Sequence, residues 1–144
     1  MESQLQKTVR FLRITQVICI VLAFICTGLI GEKRIPNNAP VRPVHWAIVL
    51  GAAYCAVSGF TAQRKLAKGP ARARQLKNNA APFGGWRAGN AMRLYSALSI
   101  VVWGVVMNIA EAPMWMAYCL AAAGVLLLVL WRPGALPAAE TVRN

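Results

Sequence analysis

The groups best placed to do chemistry in this chain recur at helical spacing. At 100° per residue, Asn90, Arg93, Ala97, Ile100, Gly104, Asn108 and Glu111 fall within a sector of about 80° on one helix face. Amides, a guanidinium and a carboxylate on such a face could line a polar cavity or hold the headgroup of an anionic substrate. A weaker stripe of Gln16, Cys19, Ala23 and Thr27 would face it from the N-terminal segment. The possible polar lining is therefore Gln16, Asn90, Arg93, Gly104, Asn108 and Glu111. The competing reading is a buried packing face, with asparagine joining helices through hydrogen bonds. Because the polar members gather at the two ends of the stripe, the packing reading is favoured. If both stripes face inward, Gln16 and Arg93 are expected to approach each other.

Other reactive types are sparse. Asp is absent, and the four acids are Glu2, Glu32, Glu111 and Glu140, all outside the long apolar stretches. Proton relays and cation-coupled carriers use carboxylates at membrane depth, so neither is expected. His45 is the lone histidine, beside Trp46, and reads as polar edge; a bis-histidine haem or a histidine metal site needs a second ring. Cys19, Cys26, Cys55 and Cys119 fall inside apolar stretches without a C-x-x-C pair, and read as packing residues. No catalytic residue, metal or cofactor is expected. An enzyme remains as an alternative, in which Arg87, Asn90, Arg93 and Tyr95 would hold an anionic lipid or thiol substrate.

The elements that must position these residues are apolar segments. The 144 residues are 58% hydrophobic and only 14% charged, whereas a soluble domain carries about a quarter charged residues. Four segments are free of Asp, Glu, Lys and Arg: 14–31, 44–62, 94–110 and 114–131. At about 1.5 Å per residue each covers roughly 26–29 Å, close to the ~30 Å of a bilayer core. Hydrocarbon supplies no hydrogen bonds to the backbone, so such segments must be helical. The expected fold is an all-α membrane protein, a single domain forming a four-transmembrane-helix bundle. The first segment follows Lys7, Arg10 and Arg13, as a signal peptide would. Its apolar stretch is longer than a signal core and no Ala-x-Ala site follows, so it reads as a retained helix.

Charge sets the orientation. Alternate sides of the four segments carry thirteen basic residues against three, and the positive-inside rule puts the richer side, with the N and C termini and the basic loop 63–93, in the cytoplasm. Trp46 and Trp115 then mark the outer ends and Trp86 and Trp131 the inner ends, as an aromatic belt would. Within the loop lie Arg64, Lys65, Lys68, Arg72, Arg74 and Lys77, with no acid among them. They read first as a topology signal and second as contacts to anionic lipid headgroups. Nucleic acid is not an expected partner, since aromatic stacking platforms are missing from this run. Gly69-Pro70 is expected to end any extension of the second helix, and Pro70 to open a short new one.

On the second segment Ala47, Gly51, Cys55 and Gly59 recur every four residues, the spacing that lets membrane helices pack closely. This ridge could serve inside the bundle or between subunits. Packing motifs without a reactive constellation point to a non-catalytic structural or accessory subunit of a bacterial inner membrane. It would self-associate as a homo-oligomer or join a larger membrane complex, with the ridge as contact. The alternative is an oligomeric channel or transporter for small anionic or neutral solutes, lined by the third helix.

Overall fold

The computed structural model describes residues 2–32, 35–73 and 81–132, with side chains described for 6–32, 35–65 and 86–132. Four helices run in this order: α1 Glu2–Glu32, α2 Pro43–Ala73, α3 Ala81–Ile109 and α4 Met114–Val129. Strands are absent among the described residues. Three helices contain stretches long and apolar enough to cross a membrane: Gln6–Glu32, Pro43–Lys65 and Trp86–Ile109. At 16 residues α4 is apolar but shorter, about 24 Å at the helical rise.

The helices alternate in direction, as the contacts at each end require. Gln16 near the start of α1 meets Leu128 and Trp131 at the end of α4, and Gln63 late in α2 meets Asn90 early in α3. At the other end Asn108 of α3 meets Ile30 of α1, and His45 of α2 meets Ala110. We call the first the basic end and the second the capping end. Helix α3 is the axis, packing against all three others; α1 also packs on α4, whereas α2 is held chiefly by α3.

Small residues make these approaches possible. A Cβ on Gly104 of α3 would lie 2.9 Å from the Ala117 carbonyl oxygen, and one on Gly124 of α4 would lie 2.9 Å from that of Ala97. Real Cβ atoms do not come so close to backbone, so each glycine admits the opposing helix. The core around this seam includes Ala97, Val101, Met107, Ala117, Ala121 and Leu128. The side of the bundle away from α3 is apolar and open: Val17, Phe24, Leu50, Tyr54, Val57 and Leu130 are all more than half exposed.

Two features differ from the sequence expectation. Residues 63–73 and 81–93, expected in the basic loop, are helical, and α2 continues through Gly69-Pro70 instead of ending there. Pro70 has no N–H for the Leu66 carbonyl and its ring crowds that carbonyl, so one rung of the ladder is lost, yet the helix runs on to Ala73. Residues 74–80, including Arg74 and Lys77, lie outside the described residues. Second, Trp86 and Trp131 are buried in the bundle, so only Trp46 and Trp115 sit exposed as belt residues would. Burial at the basic end follows from the close seams that α3 and α4 form there with α1.

The turn between α3 and α4 is tight. The Ala112 N–H reaches Met107 O and the Glu111 N–H reaches Asn108 O, the paired bonds of a Schellman cap. Glu111 takes the left-handed position with φ 58°, where glycine is usual and a side chain costs about 1 kcal/mol. Buried Ala112 and Met107 provide the apolar contact that accompanies this motif.

Candidate functional site

Helix ends leave backbone carbonyls without partners, and here buried or partly buried polar side chains of other helices serve them. Gln16 of α1 donates to Leu128 O at 2.7 Å and to Trp131 O at 3.3 Å, closing the C-terminal end of α4. Asn108 of α3 donates to Ile30 O at 3.2 Å, near the end of α1. His45 of α2 joins its Nε2 to Ala110 O at 3.1 Å, just past the end of α3. Three of the four helix C-termini are thus capped in trans by a residue of another helix.

His45 also acts on its own helix. Arg42 precedes the first helical residue, Pro43, and its N–H donates to His45 Nδ1 at 3.0 Å while the His45 N–H returns to Arg42 O at 3.0 Å. This is the N3 half of a capping box, with imidazole in the place of Glu or Gln; the returning bond is a backbone turn and involves no N-cap side chain. With Nδ1 accepting, Nε2 must carry the proton toward Ala110: the neutral ring is held in one tautomer by its two partners. The side chain is fully buried. A position that reads as polar edge in the sequence is a junction between two helices.

The α3 stripe is correspondingly enclosed. Asn90, Ala97, Ile100, Gly104 and Asn108 are buried, Arg93 is partly buried and Glu111 is exposed. Asn108 Oδ1 is buried without a partner, as is Trp131 Nε1. Gln16 and Arg93 do not pair with each other; Gln16 joins α4 and Arg93 joins α2. On α2, Gly51 faces the Trp103 ring, Gly59 lies against Ser96, and Cys55 receives Trp103 Nε1 on its Sγ at 3.3 Å and the Ser96 hydroxyl on its carbonyl. The ridge faces α3 at these three positions, and Ala47 is exposed.

The basic end holds a different arrangement. Arg93 Nη1 donates to Gln63 Oε1 at 3.3 Å, Gln63 Nε2 to Asn90 Oδ1 at 3.4 Å, and Asn90 Nδ2 to Trp86 O at 2.8 Å. The relay ends on backbone, which fixes the Arg93 side chain from behind. The Arg93 guanidinium lies 4.8 Å from the Phe60 ring centroid and that of Arg64 5.2 Å from the same ring. Arg87 stacks on Phe11 of α1 at 4.0 Å. Lys65 is exposed; Lys68 and Arg72 belong to α2, but their side chains lie outside the described residues. Phe60 and Gln63 carry no signal as single residues. Their spacing with Arg64, and the aromatic at i−4 from that arginine, is the only clue the sequence offers.

Groups of His, Cys, Asp and Glu able to hold a metal ion are absent among the described residues, and the four cysteines are unpaired. Compared with known protein families, curated proteins and solved structures, the chain matches none.

Proposed function

We propose that this chain is a multi-pass protein of a bacterial inner membrane, with both termini and the basic end in the cytoplasm. It acts without catalysis, as a structural or accessory subunit that self-associates or joins a larger membrane complex. The single observation that carries this reading is the use of buried and partly buried polar groups. Gln16, His45 and Asn108 direct their donors at helix-end carbonyls of neighbouring helices, which supports a structural duty for these groups. The membrane assignment draws support from the three long apolar stretches and from the apolar surface they leave open. In water such a surface would drive association; in lipid it is ordinary. Orientation follows from the thirteen-to-three charge division.

A transport pathway along α3 is the weaker reading, because Ala97, Ile100, Gly104 and Asn108 are packed against neighbouring helices. With Gly51, Cys55 and Gly59 turned toward α3, association with another subunit would use other faces. Native mass spectrometry of the detergent-extracted chain tests the proposal, with assemblies above monomer or a co-purifying partner expected. A monomer alone, across mild detergents, would sink the subunit reading. Cleavage near Arg72 by protease added outside intact cells would sink the orientation.

A further inference from the structure

The basic end carries donors that the capping scheme leaves unused. We propose that Arg64 and Arg93, stacked on Phe60, form a site for the phosphate group of an anionic membrane phospholipid. The inference rests on the membrane reading above and goes beyond it by assigning a bound ligand to named residues.

Both guanidinium carbons lie near one ring centroid, at 5.2 and 4.8 Å, so the two charges are within about 10 Å of each other. The screening length at physiological salt is about 8 Å, and beside hydrocarbon screening is weaker still, so the pair repels. Among residues with described side chains the acids are Glu32 and Glu111, both at the capping end. An anion between the arginines would convert this repulsion into attraction.

The geometry suits a phosphate in particular. Stacking uses the face of a guanidinium and leaves its N–H edge free, and that edge matches two phosphate oxygens. Arg93 gives one N–H to Gln63 and keeps the rest, with its position set by the relay through Gln63 and Asn90 to Trp86 O. Part of the ordering cost of binding is thereby met in advance. A lipid is indicated over a free anion by what lies beside the charges. Val57, Phe60 and Arg64 share one face of α2 at helical spacing, and Val57 and Phe60 are exposed apolar residues within the stretch Pro43–Lys65. An acyl chain would run along them from a headgroup at Arg64.

The test uses the full chain in neutral detergent with equimolar phosphatidylglycerol and phosphatidylcholine, read by native mass spectrometry. The wild type is expected to retain phosphatidylglycerol preferentially. At about 1.5 kcal/mol for a charged hydrogen bond, Arg64→Gln or Arg93→Gln should lower retention about tenfold and the pair about a hundredfold. Lys65→Gln, which removes the same charge from the same helix, should change it less than twofold. The Arg64→Lys, Arg93→Lys pair keeps the charge and the fold but loses the planar edge, and should bind weakly. Equal losses for Lys65→Gln and Arg64→Gln, or full retention by the lysine pair, would show diffuse attraction and overturn the site. Competition by millimolar inorganic phosphate would overturn the lipid assignment. Loss of lipid preference in a protein still recovered with membranes counts against this site alone, whereas recovery without detergent removes the membrane reading itself.

Discussion

The two ends of this bundle use polar residues differently, although Gln16 caps α4 at the basic end as well. At the capping end, His45 and Asn108 face backbone carbonyls, and their donors are consumed within the chain. At the basic end, Arg64, Arg87 and Arg93 rest on aromatic rings, with Arg64 and Arg87 exposed and Arg93 partly buried. The difference teaches what each kind of group can do in apolar surroundings. A neutral amide or imidazole can satisfy one carbonyl and be finished. An arginine without a carboxylate cannot be neutralised internally; it must keep contact with water, an aromatic face or an anion. The first end is therefore built for stability and the second retains the ability to bind.

Substitutions can break this contrast, and the largest effect belongs to His45. His45→Phe preserves shape but strands both the Arg42 N–H and the Ala110 carbonyl, with an expected loss of about 2 kcal/mol. Unfolding in micelles by denaturing detergent measures it; a change below a few tenths would mean the junction carries no stability. Gln16→Leu at the far end of α1 leaves Leu128 O and Trp131 O to water and should cost about 1 kcal/mol by the same assay. Asn108→Leu should cost less than that, although the side chain is the more buried of the two. Removing Asn108 deprives Ile30 O of its donor, but it also removes the buried Oδ1 that has no partner, and the two effects oppose. Smallest of all, Arg64→Gln at the basic end should shift stability by about 0.5 kcal/mol, the scale of an exposed cation–π contact. A cost there as large as that of His45→Phe would erase the distinction between the ends.

The turn after α3 sharpens the same comparison from the stabilising side. Glu111 holds a left-handed conformation, so Glu111→Gly should raise stability by about 1 kcal/mol in the same unfolding assay. A loss instead would show that the Glu111 side chain contributes something its exposed position does not suggest.

Much of the architecture was legible beforehand, for a physical reason. A run of 17 to 19 residues without Asp, Glu, Lys or Arg needs no partner to declare itself a helix when the backbone has no other donor or acceptor. The four segments appear as the C-terminal parts of α1 and α3, the N-terminal part of α2 and the whole of α4. Their ends were less legible: α2 reaches Ala73 and α3 begins at Ala81, because past the apolar stretch only modest propensities decide where a helix stops, and Gly69-Pro70 is not a sufficient stop. The grouping on α3 was visible from its period, but its meaning was not. Asn108 bonds Ile30, 78 positions earlier in the chain, and periodicity within one helix says nothing about what lies opposite. Similarly, close packing at Gly51, Cys55 and Gly59 is a local property, while Trp103 and Ser96 as neighbours are not.

What the sequence determined alone was the set of quantities that add along the chain: four apolar segments, the excess of positive charge on alternate connections, and the lack of carboxylates within those segments. These follow from solvation, which acts on each segment separately. Tertiary structure decided which polar residues are consumed and which stay available. Gln16 and His45 became caps because carbonyls from distant segments arrived beside them. Arg64 and Arg93 became a pair because the α2–α3 seam brought both to Phe60, and such pairing exists only once two helices have chosen their faces.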